Sequence, residues 1–174
     1  MERNTLIEIY ILFSELKAPW GKVVNILTGS KINHASLVVR EKGIDNLRNI
    51  FALHCDITIG CRWVSFETMN KITNPIDILY FGDVNPPSML FENIETYDMN
   101  PWIMTRYWLT KGFKKQELPN CCTQPIISWL NYFRNSEVYS KEDNYSPIEL
   151  WKTLKTRCPR KQSVMEKWKC KSLL

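Results

Sequence analysis

The ten residues "INHASLVVRE", 32–41, decide how this chain is read. A histidine opens an apolar run that is rich in β-branched residues and too short for a helix, so the stretch predicts a strand over 34–41. The interior of that strand is built for burial, yet its first residue, His34, is a titratable ring. A buried polar group needs partners. His34 is one of only two histidines among 174 residues, so the identity of its partners is a chemical question from the outset.

Working outward, "TLIEIYILF" (5–13) predicts an earlier strand, and "APWGKVVNILTGSK" (18–31) a helix between the two. Pro19 suits its first turn, Val23, Val24, Ile26 and Leu27 form an apolar side, and Gly29 suits the stop. After the turn "KGIDN" (42–46), "IFALHCDITIGCRWVSFE" (50–67) reads as two strands split near Asp56 to Gly60, a hairpin. "PIDILYFG" (75–82) reads as a further strand, bounded by Asn74-Pro75 and Gly82. The texture then changes. "NPWIMTRYWLTKGF" (100–113) has a helical period with Trp102, Met104, Tyr107 and Trp108 on one side. "LPNCCTQPIISWLNYF" (118–133) predicts a loop and then a helix that turns Ile126, Ile127, Trp129, Leu130 and Phe133 to the core. In "YSPIELWKTL" (145–154), Ser146 suits the N-cap, Pro147 the first turn and Glu149 the third position, a capping box. The expected fold is α+β: an antiparallel β-sheet packed against helices.

Length and composition predict one domain with one core. We expect it to span residues 1–157, followed by a basic C-terminal tail, 158–174. The formal charge is +5, and Arg157, Arg160, Lys161, Lys167, Lys169 and Lys171, set against Glu166 alone, account for the whole surplus. Such a tail would be solvated or would dock on an acidic partner, such as another protein of a virion, on a phosphate surface or on a membrane face. A nucleic-acid partner is not expected, because the aromatics fall on predicted core faces rather than among the bases. No run of eighteen apolar residues occurs, so no transmembrane segment is expected. Glu8 interrupts the first apolar run and no small-residue cleavage site follows, so no signal peptide is expected either. A reducing compartment follows, with most of the six cysteines (Cys55, Cys61, Cys121, Cys122, Cys158 and Cys170) as thiols. No CxxC is present and the spacing matches no zinc pattern, so neither metal nor cofactor is expected.

Placing the reactive residues on these elements yields a constellation. His34 begins one strand and His54 ends the next, so neighbouring antiparallel strands would set them side by side. Cys122 stands where a loop enters a helix, where N–H groups and the helix dipole favour a thiolate. Cys121, its neighbour, competes for the same role. A thiolate facing an imidazole, with a second polar group fixing the ring's tautomer, is the equipment of acyl transfer. In that scheme Cys122 is the nucleophile, His34 the base and His54 the third polar residue.

The order strand-His, strand-polar residue, helix-Cys resembles the circularly permuted branch of the NlpC-type papain-like superfamily, which includes lecithin retinol acyltransferase relatives and poxviral and phage proteins. "GKVVNILTGSKINHASLVV" (21–39) resembles that branch's helix, turn and His-led strand. "FALHCDITIGCRWVSFETM" (51–69) resembles the following hairpin, with Gly60-Cys61-Arg62 in place of a Gly-Val-Arg. "NCCTQPIISWL" (120–130) resembles the nucleophile segment, and "YSPIELWKTL" a helix that follows the nucleophile in phage members. The resemblance implies a permuted papain-like fold and a thiol hydrolase (cysteine peptidase or amidase) or acyltransferase without a metal, encoded by a bacteriophage or virus. Its substrate would be a peptide or protein, either a peptidoglycan peptide or a host or virion protein. The protein would act in the host cytoplasm or on the virion. The rival expectation is a catalytically silent virion or partner-binding protein of the same fold, docking through its basic tail.

Overall fold

A computed structural model describes residues 6–44, 46–56, 60–86, 122–134 and 146–171. The predicted helix over 100–113, Cys121 and residues 172–174 lie outside the described residues, as do the side chains of Lys169 and Cys170. The strands are β1 (Ile7–Leu16), β2 (His34–Glu41), β3 (Ile50–Asp56), β4 (Gly60–Ser65) and β5 (Thr73–Val84). The helices are α1 (Pro19–Thr28), α2 (Phe66–Ile72), α3 (Thr123–Arg134), α4 (Pro147–Leu154) and α5 (Gln162–Lys171). The result is an α+β fold around one five-stranded antiparallel sheet of order β4-β3-β2-β1-β5. Among the described residues, no helix is long and apolar enough to cross a membrane.

Because β1 and β2 occupy the middle of the sheet, both of their faces are covered, and both read as nearly continuous apolar runs rather than strict alternation. Strand parity still sorts the side chains cleanly. Ile9, Ile11, Phe13, Ala35, Leu37, Leu53 and Cys55 look to one face and pack with Ile126, Ile127 and Leu130 of α3 and Leu150 and Leu154 of α4. Tyr10, Leu12, Val38, Ala52 and Ile78 look to the other, against Phe66 and Met69 of α2 and Met165 and Trp168 of α5. We call these the α3 face and the α2 face.

Helix α2 was not expected, since the sequence reads as strand up to Glu67. It joins the edge strand β4 to the opposite edge strand β5 and so passes over the sheet between them. Ser65 accepts a hydrogen bond from the Thr68 N–H as its N-cap, and Phe66 and Met69, one turn apart, are its buried pair. Helix α4 starts as expected: the Glu149 carboxylate accepts from both the Ser146 N–H and the Ser146 hydroxyl. Helix α1 approaches β1 so closely that a Cβ on Gly21 would stand 2.5 Å from the Leu16 carbonyl oxygen, which only a glycine avoids.

The segment expected as a separate basic tail from residue 158 is instead part of the domain. Cys158 lies in the core of the α3 face, and Trp168 is fully buried on the α2 face. Residues 159–161 lie along β5, where the Tyr80 N–H donates to the Pro159 carbonyl and the Lys161 N–H to the Ile78 carbonyl. This covers the edge of β5, which would otherwise present unpaired backbone groups. Asp77, 3% exposed, fastens the same segment. Its Oδ2 accepts from Trp151 Nε1 at 2.8 Å and Arg160 Nε at 3.0 Å, and its Oδ1 from Gln162 Nε2 at 2.8 Å. The surplus of bases misled the reading because Lys and Arg can line the outer side of an element whose inner side is anchored by single apolar residues such as Met165 and Trp168.

Candidate active site

The site begins one residue before the strand that opened the sequence analysis. Asn33 is buried and makes three side-chain bonds. Its Oδ1 accepts from the Leu16 N–H at 2.8 Å, and its Nδ2 donates to the Gly21 carbonyl at 2.9 Å and to Asn25 Oδ1 at 2.8 Å. Asn25 in turn donates to Glu15 Oε1 at 2.6 Å. The end of β1, the body of α1 and the start of β2 are thereby tied at one point, so the next residue, His34, enters the sheet in a fixed position. It pairs with Ser14 of β1.

Register brings the second histidine to the first. Leu37 faces Leu53 in the β2–β3 ladder, so His54 lies on the same face as Ser36 and diagonal to His34. The rings meet there: His34 Nε2 is 3.0 Å from His54 Nδ1, with centroids 4.8 Å apart and planes inclined at 65°. Ser36 Oγ completes a triangle, 3.2 Å from the same Nε2, while its hydroxyl donates to the Met69 sulfur of α2 at 3.9 Å. Ser14 Oγ, fully buried across the ladder from His34, meets no hydrogen-bond partner among the described residues.

Burial, and then the neighbouring His54, hold the His34 pKa well below the ordinary imidazole range. His34 is therefore neutral at pH 7, as a base must be before it acts. Two rings sharing one contact must divide the roles of donor and acceptor. The Ser36 hydroxyl, within reach of both His34 Nε2 and the Met69 sulfur, takes part in that division. Among the described residues no group of three His, Cys, Asp or Glu side chains could hold a metal ion.

The structure brings His34 and His54 together as the sequence led us to expect. Cys122 heads α3 and is 5% exposed, and it belongs to the cluster of the α3 face that also holds Ile32 and Ala35, close in sequence to His34. Cys121, the competing thiol, lies outside the described residues. Cys55 and Cys61 are the exception to the expectation of mostly reduced thiols among the described residues: they stand directly opposite one another in the β3–β4 hairpin and form a disulfide, while Cys122 and Cys158 are not disulfide-bonded. Burial pushes the Cys158 thiol up, so it is a poor nucleophile.

Asn33, Ser36 and Ser14 were missed as site residues. Parity in the predicted strand would have found Ser36, two residues from His34 and so on the same face. Nothing in the sequence marks Asn33, because its partners come from β1 and α1. The chain matches no family model, no curated protein and no solved structure.

Proposed function

We propose that the protein is a thiol hydrolase or acyltransferase, a cysteine peptidase or amidase with a circularly permuted papain-like fold, acting on a peptide or protein. The observation that carries this reading is the buried contact between the only two histidines of the chain. It supplies a neutral imidazole whose Nε2 is held by a second polar ring. Such an arrangement supports general base catalysis and needs a nucleophile to serve. Cys122 takes the part of nucleophile, with its neighbour Cys121 as the competing thiol.

In this scheme the Cys122 thiol gives its proton to the His34 imidazole, and the thiolate attacks the carbonyl carbon of the substrate. The tetrahedral intermediate collapses as the protonated His34 hands that proton to the leaving amine, which departs and leaves a thioester. Water or an acceptor amine then attacks the thioester, losing its proton to His34, and the thiol is released with the acid or the new amide. His54 keeps the imidazole in the productive tautomer and shares the charge when the ring is protonated.

Iodoacetamide labelling against pH, read by peptide mass spectrometry, tests the scheme. A thiol whose proton a neutral imidazole can take labels well below pH 8, the range where an ordinary thiol becomes reactive. The reading requires this behaviour at Cys122 and its loss in His34→Ala. Equal labelling of wild type and His34→Ala would remove its basis, and low-pH labelling confined to Cys121 would move the nucleophile to that residue.

A further inference from the structure

The ladder between β2 and β3 runs from Arg40–Ile50 to Leu37–Leu53 and ends there, so the sheet forks beyond it. One arm of the fork is the start of β2, His34, Ala35 and Ser36, and it stays paired to β1 through Ser14–His34, Phe13–Ala35 and Leu12–Ser36. The other arm is the end of β3, His54, Cys55 and Asp56. Among the described residues its ladder neighbour is the edge strand β4 alone, through His54–Arg62, Cys55–Cys61 and Asp56–Gly60. The two imidazoles meet across the mouth of this fork at 3.0 Å. The pair next to His54 on the less supported arm is the Cys55–Cys61 disulfide.

We infer that this disulfide is a redox switch of the histidine pair: intact, it holds the end of β3 where His54 reaches His34, and its reduction lets that arm move and parts the rings. The inference concerns the pair itself and stands apart from the thiol-hydrolase reading. The β3 arm lacks a second strand beside it, and a covalent link to β4 is the restraint that makes up for this. The bridge joins residues only six apart, so it removes less chain entropy than a long-range link, and its loss leaves the global fold in place. Strand ends at a sheet edge open locally before the core does. That opening gives a reductant access to two residues that are otherwise 3% and 6% exposed. The reductant is a dithiol. One of its thiolates attacks a bridge sulfur, forming a mixed disulfide and releasing the other cysteine as a thiol. Its second thiol then displaces the remaining cysteine. Two electrons and two protons pass to Cys55 and Cys61, and the dithiol leaves as its own disulfide. Around His34 stand Ser14 of β1, Ser36 of β2, His54 of β3 and, through Ser36, Met69 of α2; of these only His54 titrates, and Arg62 is the charged residue opposite it on β4.

Nitrogen-15 labelling of histidine tests this on the full-length protein, because the chain has only two such rings to resolve. In the oxidised protein the Nε2–Nδ1 hydrogen bond should appear as a scalar coupling between the rings, and His34 should stay neutral below the ordinary imidazole midpoint of about 6.5. Dithiothreitol is the probe, and alkylation with peptide mass spectrometry verifies that Cys55 and Cys61 have become thiols. The coupling should then vanish and the His34 midpoint should rise toward about 6.5, with near-ultraviolet circular dichroism retained. Reoxidation should restore both signals. Cys61→Ser should match the reduced protein and ignore dithiothreitol, whereas Cys158→Ala should respond as wild type does. A coupling that survives reduction would overturn the inference and make the bridge a passive staple. Loss of the near-ultraviolet signal on reduction would overturn it too, since the bridge would then hold the whole fold. So would thiols at Cys55 and Cys61 that glutathione disulfide fails to join. Each of these results leaves the labelling test of His34→Ala, and the hydrolase reading with it, untouched.

Discussion

His34 and His54 share a single contact, Nε2 to Nδ1 at 3.0 Å, inside a fully covered layer, and the pair has no room for a second positive charge. Folding therefore holds His34 neutral where an unfolded chain would protonate it at a pKa of about 6.5. Its folded pKa is depressed, so the stability it contributes is fully present above pH 6.5 and drains away as pH falls through that value. Urea unfolding between pH 7.5 and pH 5 should show a loss approaching about 1.4 kcal/mol per pH unit for the one proton. His34→Gln should flatten that slope. A wild-type slope of zero across this window would contradict the buried neutral pair.

Asn33 predicts a defect that is structural first and chemical second. Asn33→Ala strips a partner from the Leu16 N–H and the Gly21 carbonyl at a buried site, which should cost about 2–4 kcal/mol. Chemical denaturation measures the cost. In the folded fraction, the pH-dependent labelling that depends on His34 should weaken, because the residue preceding His34 is no longer anchored.

Gly21→Ala tests the same junction from the helix side. The new Cβ would meet the Leu16 backbone oxygen, which cannot rotate away, so α1 must shift. A loss of about 1–3 kcal/mol is expected, and no larger residue should do better.

Asp77 should be the residue whose loss releases the C-terminal segment. Asp77→Ala leaves Trp151 Nε1 and Gln162 Nε2 without their acceptor and Arg160 without its counter-charge, at about 2–4 kcal/mol. Limited trypsin digestion should then cut at Arg157, Arg160 or Lys161 in the variant well before the wild type. Equal protection would mean that the strand-like pairing of residues 159–161 suffices alone.

Trp168 sits edge-on to Tyr10 at 5.3 Å and to Phe66 at 5.1 Å, and it is fully buried. Trp168→Ala should cost about 3–5 kcal/mol. A chain ending at residue 157 should lose cooperative unfolding, as read by near-ultraviolet circular dichroism. A passive tail would leave both measurements untouched.

The parts of the fold that were legible from the sequence are those that local chemistry specifies. The strand 34–41, the helix with Pro19 in its first turn, the hairpin around residues 56–60 and the Ser146–Glu149 cap all form where they were read. The meeting of the two histidines was legible for the same reason, since it needs only strand order and parity. Helix α2 was missed because its only signs are a Ser65 cap and one buried turn, too short to show a period. Helix α5 was missed because it holds itself in place with Met165 and Trp168 while polar residues such as Ser163, Glu166 and Lys167 are exposed. The burial of Cys122 was not legible, because position at a helix start says nothing about which way the side chain turns. That direction is set by the sheet beneath α3, which the sequence of α3 does not contain.

The closure of the α2 face by Trp168 also constrains how the protein is made. One layer of its core joins Tyr10 of β1 to the indole of α5, far apart along the chain. On a ribosome, β1 would emerge with half of its covering still unsynthesised. Its apolar side must then wait, chaperoned or loosely collapsed, until α5 has been made. A stop codon before Trp168 would therefore yield an aggregation-prone fragment instead of a smaller working protein.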